Sequence, residues 1–402
     1  MLVFESAKLG VVTVKNRIIR SATFEGMCDD SGCPTVAYTD LYCNLAKENV
    51  GAIITGFTYI SADGKAMQPG QAGMDGTDKV GPFQVTTEAV HRYGSKIFMQ
   101  LAHTGRQTSQ EAVEGAVVGV SHKKSPYFKV QPKKLSTSQA ERVITRFADS
   151  AFFAQQAGFD GIQLHAAHGY LLHQFILPAV NDRTDRYGID SQTGIGTSFF
   201  EAVIDEVRRR CGPNFPVLVK ISAADDNRQP FGREQLSRLI GFLDRKQVAG
   251  IEISYGTMDQ ALNIFRGDIP IEQILKFNPF YRVKSRLLRY CWKVFVLPIL
   301  RRRVKPFTSC YNLDSAQFAK RYTDIPIISV GGFRQGREIH LAVEKGRADF
   351  VALSRPLLCE PGFVTELKND PDYVSRCCNC NICAVMCDSK YPTRCYGKGR
   401  NI

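Results

Sequence analysis

The chain has 402 residues, 44% hydrophobic and 23% charged, an ordinary globular composition that excludes a disordered or fibrous protein. No apolar run is long enough to span a bilayer, and MLVFESAKLG at the start has neither the basic nor the apolar region of a secretory leader, so a cytoplasmic protein is expected. Of the net charge of +13, ten charges sit between Lys276 and Lys305, where no Asp or Glu occurs; a general nucleic-acid binder is therefore not expected.

Along the chain, short apolar runs alternate with longer amphipathic stretches. The runs are RIIRSA (17–22), GAIITGF (51–57), KIFMQLAH (96–103), GIQLHAAH (161–168), PVLVKIS (216–222), GIEISYG (250–256), PIISVGG (326–332) and FVALSRP (350–356). Near-continuous apolar runs of this length predict strands buried on both faces of a parallel sheet. Between them, 138–159 carries Val143, Phe147, Ala151 and Ala154 at helical spacing and stops at Gly158. A second helix is predicted over 198–212.

Eight strands alternating with helices predict an α/β protein of the (β/α)8 TIM-barrel type. A doubly wound open sheet is the competing arrangement, but no GxGxxG turn follows the first run. The barrel is expected over 1–361. It carries a long connection at 104–137, a basic insertion after the sixth strand at 258–312, and a Cys-rich tail at 362–402.

In such a barrel the chemistry sits where the strands end. The fourth strand ends in His165 and His168, followed by Tyr170. Two imidazoles can polarise one carbonyl oxygen, and a phenol can supply a proton. The first strand ends in Ser21, Ala22 and Thr23; the third contributes Gln100 and His103, and the fifth Lys220. A Gln amide and a Lys ammonium suit a polar ring with anionic character. Gly331 and Gly332 after the seventh strand, with Ser354 and Arg355 after the eighth, occupy the place where many barrels bind phosphate.

HAAHGYLLHQF…PxxNDRTDRYG, with KNRIIRSAT, MQLAHTGRQ, VLVKIS, SVGGFR and VALSRPLL in the same order, resembles the Old Yellow Enzyme family of NADH:flavin oxidoreductases over nearly the whole chain. It is similar to the longer bacterial members related to 2,4-dienoyl-CoA reductase. The resemblance implies FMN over the barrel mouth. Thr23 would lie near the flavin N5/O4 edge, Gln100 at the pyrimidine edge, Lys220 at N1/O2, and Gly332, Ser354 and Arg355 at the phosphate. Ser21, Ala22, Gly56 and Gly331 are further cofactor-binding positions. His165 and His168 would hold a substrate carbonyl and Tyr170 would protonate it. NAD(P)H would be the reductant and an activated alkene (an α,β-unsaturated carbonyl compound) the substrate.

The tail departs from the longer relatives, which carry an iron–sulfur cluster on C-x2-C-x3-C-x11-C. Six of the 13 cysteines lie between Cys377 and Cys395. Cys380, Cys383, Cys387 and Cys395 are the candidate metal ligands, and Cys377, Cys380, Cys383 and Cys395 give a second register. Neither fits fully, and a metal-free remnant is the competing reading. Amine oxidation like that of trimethylamine dehydrogenase, with an iron–sulfur cluster, is one alternative. A non-enzymatic redox-sensing or membrane-surface role, with peripheral contact through 277–305, is another. The natural substrate and the oligomeric state, a homo-oligomer included, stay open.

Overall fold

The computed structural model describes residues 1–227 and 231–397; the last five positions of the tail lie outside the described residues. Eight parallel strands form the core: β1 (Ile18–Arg20), β2 (Ala52–Ile54), β3 (Lys96–Ala102), β4 (Gly161–Ala166), β5 (Val217–Ser222), β6 (Gly250–Ser254), β7 (Ile327–Val330) and β8 (Phe350–Leu353). Each pairs with the next, and β8 returns to β1 with Ala352 opposite Ile19, so the sheet closes. All eight lie in the runs expected to be strands, and every residue of β1, β2, β4, β5, β6, β7 and β8 is buried.

After each strand comes one barrel helix: α1 (Val36–Lys47), α2 (Val80–His91), α3 (Thr137–Gln156), α4 (Ser198–Cys211), α5 (Arg233–Arg245), α6 (Leu313–Ala319), α7 (Gly336–Glu344) and α8 (Phe363–Asn369). A capping box starts α3: the Ser136 hydroxyl accepts from the Gln139 backbone N–H, and the Gln139 side chain accepts from Ser136 N–H. Gly158, at φ +81°, follows the end of α3, and Gly212, at φ +90°, ends α4.

Inside the barrel the side chains form layers. The lower layers are apolar: Ile19, Ile54, Phe98, Leu218, Ile328, Phe350 and Ala352. A hairpin (Ala7–Leu9 with Val12–Val14) closes this end by inserting Leu9 and Val14 into the same cluster. Such three-residue strands are too short to stand out in the sequence. The turn at Gly10 (φ +60°) lies so close to the barrel that a Cβ there would sit 2.8 Å from the Ala249 Cβ.

Three segments stand outside this scheme. The 104–137 connection ties to the loop after β6, where Asp259 accepts from Arg106 (2.7 Å), Gln107 (2.9 Å) and Ser125 (2.8 Å). The 258–312 insertion folds into short helices (Ala261–Phe265, Ile271–Phe277) and a longer helical run over 286–303. Finally, the tail beyond α8 runs back over the top of the barrel. Among the described residues no helix is long and apolar enough to cross a membrane.

Because Leu9 fills the barrel floor with no exposed surface, Leu9→Ala is expected to cost about 2–5 kcal/mol of unfolding free energy. Lys8→Ala, on the exposed side of the same strand, is expected to leave the denaturation midpoint unchanged. Chemical denaturation of the two variants measures the difference.

Candidate active site

Above the apolar layers the barrel interior turns polar. Lys220 on β5 and Glu252 on β6 form an ion pair at 3.0 Å, 5% and 0% exposed. Glu252 also accepts from Ser21 Oγ (2.6 Å) and Gln163 Nε2 (2.7 Å). Lys220 Nζ donates to Ser21 Oγ (2.8 Å), and Gln100 Nε2 donates to Gln163 Oε1 (2.6 Å). Ser21, Gln100 and Lys220 are thus brought into one network. Glu252 and Gln163 belong to it as well and were missed by the sequence reading; the alternation of Gln163 with His165, and of Glu252 with Ser254, was the available signal.

His165 is the next inward residue of β4 after Gln163, so its imidazole stands directly above this floor. Its ring lies 5.0 Å from that of His168 and 4.8 Å from that of Tyr170, both edge-on. Phe57 packs on Tyr170 at 5.3 Å. His168 has φ +59°, a left-handed conformation that costs a non-glycine residue free energy and clusters at functional sites. It is held there by three bonds: its N–H donates to Ser222 Oγ, its carbonyl accepts from Met258 N–H, and its Nε2 meets Ser254 Oγ at 2.8 Å.

Burial holds both imidazoles well below the usual histidine range; the Lys220 charge adds to this at His165, and His165 and Lys220 add to it at His168. Both are therefore neutral at neutral pH. His165 Nδ1 is buried and has no hydrogen-bond partner among the described residues. Burial pushes the Tyr170 phenol upward, with Asp388 and Cys387 adding to it, so it keeps its proton.

The rim is built around Arg20, fully buried at the end of β1. Its guanidinium donates to the carbonyls of Ile54 (2.7 Å) and Thr23 (2.9 Å) and stacks 4.8 Å over Tyr42. Glu25 lies 3.8 Å away and accepts from Gly56 N–H at 2.6 Å. A Cβ on Gly56 would stand 2.2 Å from that carboxylate, so the position requires glycine. Thr23 Oγ1 donates to Ser354 Oγ (2.8 Å), which places those two residues at one point of the rim, and Ala22 packs on the apolar layer below.

Gly331 (φ +123°) and Gly332 (φ +85°) form the turn after β7; a Cβ on either would collide with Tyr311 or the Cys310 backbone. Arg266, which the sequence reading did not single out, stacks 4.3 Å over Tyr311, and its carbonyl accepts from Arg355 Nη1. Arg355 also donates to Asn381 Oδ1 in the tail (2.5 Å). Arg334, just past the turn, packs over Phe307, and its Nε is buried with no hydrogen-bond partner among the described residues. Arg266 and Arg355 are thus linked beside the Gly331–Gly332 turn, which packs on Tyr311.

The tail roofs this mouth. Thr393 N–H donates to the Glu25 carbonyl (2.7 Å). Asp388 accepts from Gln68 (2.8 Å) and from Asn278 (2.7 Å), and Asn278 also donates to the Tyr127 hydroxyl. The candidate metal ligands are not gathered as one set. Cys387 turns to the Cys383 carbonyl and Thr393 Oγ1, and Cys395 faces Cys359 instead of Cys380 or Cys383. Among the described residues no three His, Cys, Asp or Glu side chains converge as a metal site.

Burial lowers His103 to about 4, against the raising effect of Asp63, and lowers His173, whose Nδ1 accepts from Gly169 N–H, to about 3. In the unfolded chain both titrate near the ordinary value of about 6.5. Below that pH the unfolded chain binds protons that the native state refuses. Stability is therefore complete above about pH 6.5 and falls on acidification by about 1.4 kcal/mol per pH unit per histidine. His173→Asn, which keeps an acceptor for Gly169, is expected to remove one proton's share of the slope between pH 7 and 5 in urea denaturation.

The profile of the NADH:flavin oxidoreductase / NADH oxidase family matches residues 2–255. The chain is 28% identical over 381 residues to an NADH oxidase of Thermoanaerobacter brockii, covering 94% of this chain and 52% of that one. It is 28% identical to the 4,4'-dithiodibutanoate disulfide reductase of Rhodococcus erythropolis (95% and 92%) and to the cinnamate reductase of Clostridium sporogenes (94% and 54%). It thus spans about half the length of the first and third. Among solved structures, morphinone reductase in complex with tetrahydroNAD superposes with a TM-score of 0.70 at 19% identity, covering 93% of this chain and 92% of that one. The old yellow enzyme homologue of Zymomonas mobilis gives 0.69 at 21% identity (93% and 94%). The closed barrel and this match agree: the chain belongs to the NADH:flavin oxidoreductase / NADH oxidase, or Old Yellow Enzyme, family.

Proposed function

We propose that the protein is an NAD(P)H-dependent ene-reductase that holds FMN at the barrel mouth and reduces the C=C bond of α,β-unsaturated carbonyl compounds. The observation that carries this reading is the grouping of two neutral imidazoles and a protonated phenol directly above a buried Lys220–Glu252 pair. The donor set fits the flavin. Lys220 supplies a fixed cation below the mouth, Gln100 an amide beside it, and Thr23 and Ser354 hydroxyls at the rim. Arg355 and Arg266, with Arg334, whose Nε has no partner among the described residues, and with Gly331 and Gly332, suit its phosphate. Bound there, FMN would supply the hydride-transfer chemistry between NAD(P)H and the alkene.

The protein's residues bind and polarise the substrate. His165 and His168 donate N–H bonds to the carbonyl oxygen without adding charge, which draws electron density away from the β-carbon. His168 cannot swing away, because three bonds fix it. Tyr170, held protonated by burial and by Asp388, delivers the proton to the carbon next to the carbonyl. The tail and the insertion exclude water above it.

The cinnamate reductase among the relatives supports an unsaturated acid or ketone as substrate. The disulfide reductase, which matches over nearly its full length, makes an organic disulfide the comparison substrate.

The purified protein is expected to show a flavin absorbance band and to release FMN on denaturation; a colourless, FMN-free protein would reject the proposal. Tyr170→Phe is expected to slow enone turnover by about 10²–10⁴-fold, while stopped-flow reduction by NADH or NADPH stays at the wild-type rate. His165→Ala is expected to weaken the flavin's spectral response to added phenols, whose oxygen would take the place of the substrate carbonyl between the two imidazoles, with FMN retained.

A further inference from the structure

The basic insertion presents a surface that the proposed chemistry does not use. Residues 286–303 form a continuous helical run, about 27 Å long. Its inner stripe is Arg289, Trp292, Leu297 and Leu300. The three apolar residues pack on Ile269, Ile271 and Leu275, and Arg289 pairs with Glu272. The opposite stripe is apolar too, yet it faces solvent. Leu287 is 71% exposed and Phe295 69%, with Leu288, Tyr290, Val294 and Ile299 exposed beside them. A helix that is apolar on both faces but covered on only one has an occupant for the other.

Charge decides what that occupant is. Arg282, Lys284 and Arg286 stand exposed at one end of the apolar stripe, Arg301, Arg302 and Arg303 at the other, and Lys293 between them. No acidic residue occurs between Lys276 and Lys305. A second copy of this chain would set this cationic rim against itself. An acidic lipid surface instead satisfies both halves. The aliphatic and aromatic side chains enter the acyl boundary, while the long basic side chains reach back to the phosphates.

We infer that the 286–303 helix is an interfacial anchor that docks the barrel on an anionic lipid bilayer, lying in the membrane plane without crossing it. The anchor is joined to the catalytic mouth: Asn278, at the end of the preceding helix, bonds Asp388 of the roof and Tyr127. The surface exists whether or not the flavin reading is right.

Flotation of the full-length purified protein with phosphatidylcholine vesicles containing phosphatidylserine tests this, with pure phosphatidylcholine as the comparison. Wild type is expected to float with the anionic vesicles, to bind the neutral ones at least about tenfold less, and to be released by salt. Leu287→Glu/Phe295→Glu is expected to lose vesicle binding at unchanged melting temperature. Arg301→Gln/Arg302→Gln/Arg303→Gln, which leaves the packed stripe alone, is expected to weaken it and reduce its salt dependence. The inference is overturned if wild type stays with the soluble fraction, or if both variants bind as wild type does. It is equally overturned if sedimentation velocity shows a self-associated wild type that Leu287→Glu/Phe295→Glu turns into a monomer, since the face would then be a contact between copies.

Discussion

One buried ion pair sets the terms for everything above it. Taking Lys220 and Glu252 out of water is costly, and a pair of this kind is tolerated only when every remaining lone pair and proton is used. Here the Glu252 carboxylate accepts from Lys220, Ser21 and Gln163, and Gln163 in turn accepts from Gln100. The chain of bonds crosses β3, β4, β5 and β6 and the end of β1. Removing one member strands a buried polar group, so the network fixes the relative heights of those strand ends. The apolar plug beneath it, closed by Leu9 and Val14, keeps water out and the local dielectric low, which strengthens the electrostatic effect of the pair on whatever lies at the mouth.

The imidazoles and the rim are consequences of that floor. His165 is neutral because it is buried and because Lys220 is close; both causes act in the same direction. His168 is strained, and its three bonds run to Ser222 on β5, Ser254 on β6 and Met258 just beyond β6. The strain is thus held by the strands that carry the ion pair. On the other side, Arg20 ties Thr23 to β2, and Glu25 joins Gly56 to the tail through Thr393. The floor and the roof are parts of one hydrogen-bonded frame.

How much of this is legible in the sequence depends on the range of the interaction. The eight strands are legible because burial on both faces writes itself as a local apolar run. His165, His168 and Tyr170 are legible because one turn carries all three. Glu252 was not, since a single acid inside GIEISYG has no partner in its own segment; Lys220, Ser21 and Gln163, which it meets, come from three other strands or strand ends. Arg20 was hidden in RIIRSA for the same reason. Asp388, Asn278, Tyr127 and Gln68 meet from four separate segments, and no local pattern announces such a meeting. The plugging hairpin escaped because its strands are too short for periodicity to register.

The tail poses the opposite case, a strong local pattern whose thiols the fold uses for contacts of their own. Cys-x2-Cys spacing suggests a shared metal, because ligation needs thiolates brought together. In this fold the Cys387 sulfur is engaged with the Thr393 hydroxyl and the Cys383 carbonyl. Thr393 carries the backbone bond to Glu25, and Asp388, the next residue after Cys387, holds Asn278 and Gln68. The segment between Cys387 and Cys395 therefore works as a clasp between the roof and the rim. Its position over Tyr170, rather than its sulfur count, is what connects the tail to the chemistry of the mouth.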